Sequence, residues 1–373
     1  MGSRRLTAVV LAAGEGTRMR SARPKPLHEL CGRPMVAHVI DALAEVSAER
    51  VVVVVGHGAE AVSKTLQELS HPDLPIEFVE QRVQRGTGDA AAVGLTGLPN
   101  DLEDDDDIDV IVLPGDTPLL RPQTLAALVR VHRETDAAAT LLTAYLENPY
   151  GYGRVIRSRD ERVARIIEES DADDEERAIQ EVCTSIYCFR RSVLAPALRR
   201  LSPENAQGEY YLTDAIAVLH DAGYNVVSMV AADPMETAGV NDRAQLAVAE
   251  AELRDRTNER WMRRGVTMID PERTYVDADV HLEADVTLYP GTVLEGSTVV
   301  AAHAVIGPDT RLSDCSVGEG AQLEQVVARS ASVGAGARIG PFVVLEPGAV
   351  VEAGVRIGPF SRVGAEDSEE GPG

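Results

Sequence analysis

Short apolar runs alternate with amphipathic stretches from Leu6 to about Val240. Leu6 to Ala13, Arg50 to Gly56, Ile76 to Glu80 and Val110 to Leu113 are rich in Val, Ile and Leu and predict strands. Met35 to Val46, Ala59 to Leu69 and Pro122 to Thr135 repeat apolar residues at spacings of three and four, which predicts helices between them. Alternation of this kind predicts a βαβ series with a mainly parallel sheet, on which ligands bind beyond the carboxyl ends of the strands. Arg154 to Ile167 and Val182 to Phe189 add strands that extend it as a mixed sheet.

Asp242 to Arg264 sets Leu246, Val248, Ala251, Leu253 and Trp261 among Glu and Arg without Pro or Gly, and predicts one long linking helix. Beyond Pro271 the period changes. Leu282, Leu288, Leu294, Val300, Ile306 and Leu312 recur every six residues, and after a phase shift so do Val333, Ile339, Leu345, Val351, Ile357 and Val363. A period of six suits neither a helix nor an isolated strand. It suits a parallel β-helix, in which each hexad is a short strand plus a turn and three hexads close one coil. Twelve hexads make about four coils, with Gly340, Gly348, Gly354 and Gly358 expected at the turns. The expected division is an α/β domain over 1–240, a linking helix over 241–270, a β-helix over 271–365 and an acidic, disordered tail over 366–373.

Composition narrows the partners. With 36 basic and 60 acidic residues among 373, the net charge of -24 repels polyanions and argues against nucleic acid. The run from Asp101 to Asp109 is best taken as a solvated loop and not a metal site, because such runs repel themselves. The longest apolar stretches fall far short of the ~20 residues that cross a bilayer, so no membrane role is expected. The apolar residues after Arg4 and Arg5 lead into Gly14 and Gly16 without a cleavage pattern, and predict a buried first strand in place of a leader. Cys31, Cys183, Cys188 and Cys315 show no paired spacing and are expected as free thiols in the cytoplasm. Lys25 and Lys64 are the only lysines, which singles out the setting of Lys25.

That setting is Leu11-Ala12-Ala13-Gly14-Glu15-Gly16-Thr17-Arg18-Met19, followed by Arg23-Pro24-Lys25-Pro26-Leu27. A strand that runs into a glycine turn lets backbone amides converge on a phosphate, and Arg18 and Lys25 add cations. The spacing matches neither the P-loop nor the dinucleotide fingerprint. Asp116, in Leu113-Pro114-Gly115-Asp116, stands at a strand end where a hard carboxylate suits Mg2+, although it could equally cap the next helix. Gln81 to Gly88, with Gly86 and Thr87, could read a base edge or form a plain polar loop. Gly151 to Arg154, Glu168 and Gly208 to Asp214 are open between turns, caps and ligand contacts, and Asn241 is by default the cap of the long helix.

Taken in order, LAAGEGTRM, RPKPLH, QRGTG, PGDTPL, GYGRV, IIEE, AQGEYYLTD and GVN, ahead of hexapeptide repeats, resemble the bacterial N-acetylglucosamine-1-phosphate uridyltransferase family. The resemblance spans about Leu6 to Val363. It implies a Rossmann-like nucleotidyltransferase domain with a mainly parallel, mixed sheet, then a left-handed β-helix that trimerises. It further implies that Leu11, Ala12, Ala13 and Gly14 hold the nucleotide with Arg18 and Lys25 on its phosphates. Gln81, Gly86 and Thr87 would face the uracil, Asp116 and Asn241 would share a Mg2+, and Gly153, Glu168 and position 183 would contact the sugar. The reaction implied joins UTP and N-acetylglucosamine-1-phosphate into UDP-N-acetylglucosamine and pyrophosphate.

The chain departs from that pattern at several places. Cys183-Thr184-Ser185 stands where the family has Asn-Thr-Gly, which opens the way to another hexose-1-phosphate or to dTTP. Pro114 replaces a tyrosine before Gly115-Asp116. Glu346 replaces an arginine, and Gly364 falls on the family's lysine, so the acetyl-transfer activity of the family's β-helix is expected to be absent. A sugar-nucleotide sensor or assembly subunit without catalysis is the reading from another class, and the retained Arg18, Lys25, Asp116 and Asn241 weigh against it.

Overall fold

Strands that read as unbroken apolar runs need cover on both faces, and the apolar runs of the first 240 residues receive it. The computed structural model describes residues 4–69, 74–98 and 108–364. They fall into two compact units, one drawn from residues 4–28 and 34–246, the other from 29–33 and 247–364. Most of the acidic run and the 366–373 tail lie outside the described residues.

The first unit is built on β1 (Arg5–Ala12), β2 (Arg50–Val55), β3 (Ile76–Glu80), β4 (Ile108–Pro114), β5 (Ala139–Tyr145), β6 (Gly153–Arg157), β7 (Val163–Ile167), β8 (Glu181–Arg190) and β9 (Val226–Val230). Their order across the sheet is β9-β5-β8-β4-β1-β2-β3, with β6 paired to β8 and β7. Every pair on the main path is parallel except those made by β8. Alternate residues of β1 enter different layers. Ala8 and Val10 pack with Ile40 and Leu43 of the helix Met35–Glu45, and with Leu125 and Leu128 of the helix Pro122–Glu134. Val9 packs on the other face with Ala90 and Ala91 of the helix Thr87–Leu95.

The long helix runs from Arg243 to Arg263. The second unit coils from Thr267 to Val363 as three parallel sheets of six, six and five strands. This is the left-handed β-helix, with more coils than the twelve hexads suggested, because the stretch between the two hexad runs belongs to it. Val317, Leu323 and Ala328 point inward between Leu312 and Val333, so the phase shift consists of shortened corners and not of a break. In one column His281, Val299, Ser316, Ser332 and Val350 stack with successive members 18, 17, 16 and 18 residues apart. The turns also differ from expectation. Gly340, Gly348 and Gly354 have positive φ but Gly358 does not; Phe342 and Phe360 take the left-handed conformation within the corners of Gly340 and Gly358, and Asp285, His303, Asp309, Asp314 and Gln325 take it at other corners. Asp and similar polar residues tolerate it best among those with a side chain.

Asp109, expected with the acidic run in a solvated loop, instead lies buried inside β4, because Arg4, His132 and Arg133 surround its carboxylate and tie the amino end of the strand to its neighbours. Asp109 is fully buried, accepts a hydrogen bond from Arg133 Nε at 2.7 Å and lies 3.4 Å from His132 Nε2 and 3.5 Å from Arg4. Burial alone would raise its carboxyl, but hydrogen bonds from His132 and Arg133 outweigh burial and hold it below the usual carboxylate range. A depressed value stabilises the fold above the unfolded value of ~3.9 and is lost as pH falls through the folded one. Asp109→Ala should therefore cost about 3–5 kcal/mol at pH 7, as removal of one partner of a buried pair does. Urea unfolding should show the loss shrinking by pH 3, and an equal loss at both pH values would refute this account.

Candidate active site at the carboxyl ends of the strands

Parallel pairing sets Arg5 opposite Ile108 and Leu11 opposite Pro114, so the loops that follow β1 and β4 leave the sheet side by side. Gly115 N–H donates to Leu11 O at 2.9 Å and fastens them together. After Ala12 and Ala13 the chain passes Gly14 and makes a single turn over Thr17–Met19. Gly16 opens that turn at φ 63°, and a Cβ there would lie 2.6 Å from Lys25 Cβ. Glycine is thus required both by the backbone and by the passage of the Lys25 stem.

Lys25 Nζ donates to Asp116 Oδ2 and, at 2.8 Å, to Asn241 Oδ1. Arg18 Nη2 donates to the same Asn241 oxygen at 3.0 Å. Four predicted residues from three distant segments therefore meet at one point. Neither structural alternative accounts for them. The helix Pro122–Glu134 starts from Arg121 without a side-chain cap, so Asp116 is not its cap. The long helix is capped by Asp242, whose Oδ1 accepts from Gln245 N at 2.8 Å, while Gln245 Oε1 accepts from Asn241 N at 2.7 Å. That arrangement leaves the Asn241 side chain to the cluster.

A carboxylate oxygen and an amide oxygen that touch one ammonium can share a cation, and both are hard donors suited to Mg2+. Among the described residues no group of three or more His, Cys, Asp or Glu is placed to hold a metal. An ion held by Asp116 and Asn241 would complete its shell with water and phosphate oxygens, as Mg2+ commonly does.

The Gln81 loop forms a second group. Gln81 is buried, and its Nε2 donates to Gly86 O at 3.3 Å and Asp89 Oδ2 at 2.8 Å. Gln84 Nε2 donates to Ala13 O at 2.7 Å, which joins this loop to the end of β1. Thr87 Oγ1 accepts from Leu212 N at 3.0 Å, and Gly88 N donates to Tyr210 O at 2.7 Å, which joins it to the Gly208 to Asp214 segment.

A third group surrounds Gly153, which stands opposite Cys183 in the β6–β8 register. A Cβ on Gly153 would lie 2.8 Å from Ile166 Cγ2 and 3.4 Å from Glu168 Oε2. Glu168 Oε1 accepts from Thr213 Oγ1 at 2.8 Å. The Cys183 thiol is buried in the core beside Val155, Val163 and Phe189, 3.1 Å from the Tyr187 hydroxyl, and burial pushes it up to about 12. It stays neutral at physiological pH and is no nucleophile. All four cysteines are free and buried. Neither Glu168 nor the Gln81 loop bonds directly to Lys25 among the described residues. Tyr152 lies between Asp116 and the Gly153 group: it precedes Gly153, and burial and the Asp116 charge raise its phenol.

Residues 8–217 match the MobA-like NTP transferase domain, and residues 330–365 match six repeats of the bacterial transferase hexapeptide. The bifunctional protein GlmU of Desulfitobacterium hafniense is 46% identical over 366 residues, covering 98% of this chain and 78% of that protein. The bifunctional protein GlmU of Heliobacterium modesticaldum is 43% identical, covering 92% of this chain and 72% of its own length. That of Rhodococcus jostii is 46% identical, with 92% and 69% covered. The chain belongs to the GlmU family. As a GlmU-family protein with an NTP transferase domain it is a sugar-phosphate nucleotidyltransferase.

Within this GlmU framework Tyr152, Thr213 and Gln84 are the contributors that sequence reasoning did not assign. Tyr152 and Thr213 lie inside motifs that were singled out, GYGR and GEYYLTD, but nothing in a sequence separates a hydroxyl aimed at Glu168 or Gly239 from its loop neighbours.

Glu168 provides a test of the local electrostatics. Burial raises its carboxyl, the Thr213 hydrogen bond opposes this, and Asp214 and Asp171 add to it. With the folded value above the unfolded ~4.3, ionised Glu168 costs stability increasingly as pH rises through that interval. Glu168→Gln should melt at a higher temperature than the parent at pH 7.5, with the gap closing near pH 4. A lower melting temperature at both pH values would contradict the assignment.

Proposed function

We propose that the chain transfers a uridylyl group from UTP to N-acetylglucosamine-1-phosphate in a Mg2+-dependent reaction. The observation that carries this reading is the meeting of Lys25 and Arg18 with the Asp116 and Asn241 oxygens beyond the ends of β1 and β4. A sugar-phosphate oxygen attacks the α-phosphorus, a P–O bond forms there, and the bond to the bridging oxygen breaks to release pyrophosphate. Both reactants are anions, so the barrier is largely repulsion and alignment. The backbone of Leu11 to Gly14 would seat the nucleotide, and Gln81, Gly86 and Thr87 would hold the uracil. Lys25 and Arg18 would offset charge on the transferring phosphoryl group and the leaving pyrophosphate. Gly153, Glu168 and the backbone of Cys183, whose thiol is turned into the core, would fix the sugar, with Thr213 orienting Glu168. Mg2+, held by Asp116 and Asn241, would lend Lewis acidity toward phosphate oxygens.

A second reading, favoured by the Cys183 thiol bonded to Tyr187, is transfer to another hexose-1-phosphate or from dTTP. A thiol is a weak hydrogen-bond partner for an acetamido group. Glu346, ion-paired to Arg362 at 2.5 Å, supports a further part of the proposal, that these coils do not carry acetyl transfer. The exposed Val299, Val327 and Val350 on the β-helix support assembly as a homotrimer. No helix of the described residues is long and apolar enough to cross a membrane, and we place the enzyme in the cytoplasm.

Pyrophosphate release with UTP and N-acetylglucosamine-1-phosphate, run beside glucose-1-phosphate, glucosamine-1-phosphate and dTTP, should be fastest with the first pair and stop without Mg2+. Preference for another pair would establish the second reading, and silence with all would refute both. Lys25→Ala and Asp116→Ala should each lower kcat by about two orders of magnitude or more while circular dichroism stays that of the parent. A folded variant at near-parental rate would remove that residue from the mechanism.

A further inference from the structure

The cluster at the end of β4 holds more positive charge than it needs. One carboxylate, Asp116, faces the Lys25 ammonium, and one neutral amide, Asn241, faces both that ammonium and the Arg18 guanidinium. The ammonium lies against both oxygens proposed above as the protein's metal ligands. Its side chain is 13% exposed and that of Asp116 24%. A divalent cation brought there alone would displace the ammonium from the carboxylate it pairs with among the described residues and stand beside two cations. A nucleotide triphosphate changes the balance. Its oxygens can take up Lys25 and Arg18 as the metal takes Asp116 and Asn241, so every charge keeps an opposite partner. The Lys25 stem is held against the Gly16 turn through its Cβ, Cγ and Cδ, while the end of the side chain beyond them can change partners without moving the chain.

We propose that Lys25 is the resident cation of the metal site, and that Mg2+ gains the Asp116 and Asn241 oxygens only as a nucleotide's phosphates gain Lys25. This rests on the assignment of those two residues as metal ligands. The nucleotide-free protein then binds divalent metal weakly, and metal and nucleotide bind with positive coupling. Lys25 acts twice, first as a competitor that keeps the ligands apart from stray cations and then as a phosphate partner.

The test uses the full chain without nucleotide, with Mn2+ as the probe and free Mn2+ read by electron paramagnetic resonance. Lys25→Met should bind Mn2+ at least tenfold more tightly than the parent, and adding Asp116→Asn to it should abolish that gain. No gain in Lys25→Met, with Asp116→Asn still weakening binding in the presence of UTP, would overturn the competition and leave the metal assignment standing. A gain that survives Asp116→Asn would overturn both. The parent protein gives a second measurement through acylation of Lys25 relative to Lys64, the other lysine, which is 75% exposed. Mg2+ alone, at a concentration that saturates the nucleotide-bound protein, should leave the ratio of Lys25 to Lys64 acylation unchanged, and UTP with Mg2+ should slow Lys25 several-fold against Lys64. A constant ratio throughout would overturn the proposal.

Discussion

One ammonium between two oxygens organises the first unit. For Lys25 to reach Asp116 and Asn241, the loop after β1 must stand beside the loop after β4, and the chain must return to them 216 residues later. Parallel register supplies the first condition, because Leu11 and Pro114 pair at the same level. The local chemistry of the long helix supplies the second. Asp242 and Gln245 satisfy the helix start between them, so the neighbouring Asn241 has no structural duty that competes with the cluster.

Around that point the polar groups are held by backbone as much as by side chains. The Gln81 loop is stitched to Ala13, Leu212 and Tyr210, and Glu168 to Thr213. Loops fixed in this way would keep the groups proposed to meet a ligand aligned before it arrives, which lowers the ordering cost of binding. Tyr152 precedes Gly153 and feels the Asp116 charge, which sets the regions proposed to hold phosphate and sugar near one another.

The βαβ order, the mixed sheet and the β-helix were legible because each rests on a period: two-sided apolar runs for strands, three and four for helices, six for coils. Arg18, Lys25, Asp116 and Asn241 were legible as candidates through their motifs, but their meeting was not, since no spacing reveals which distant segments share an end of a sheet. Sequence periodicity also undercounted the coils. It needs constant steps, and the steps through Val317, Leu323, Ala328 and Val333 are not constant although the interior stays filled. Gly358 stands at its corner as expected, but the left-handed conformation there falls on Phe360, because a corner can be met by Asp, His or Phe as well as by glycine. Cys183 shows the limit of a motif: its position is expected at a sugar, while its thiol belongs to the core.

The uneven rungs of the β-helix carry a consequence for inheritance. Columns of inward side chains stay aligned while the intervals between successive strands change from 18 to 17 to 16 residues and back to 18. Each rung pairs only with its immediate neighbours, so the stack tolerates the loss of a residue wherever the loss falls at a corner. Single-codon deletions that would shift every residue of an ordinary strand to the wrong face are absorbed here within one rung. The β-helix therefore keeps its register by resetting it at every corner, and errors in its length do not accumulate along it.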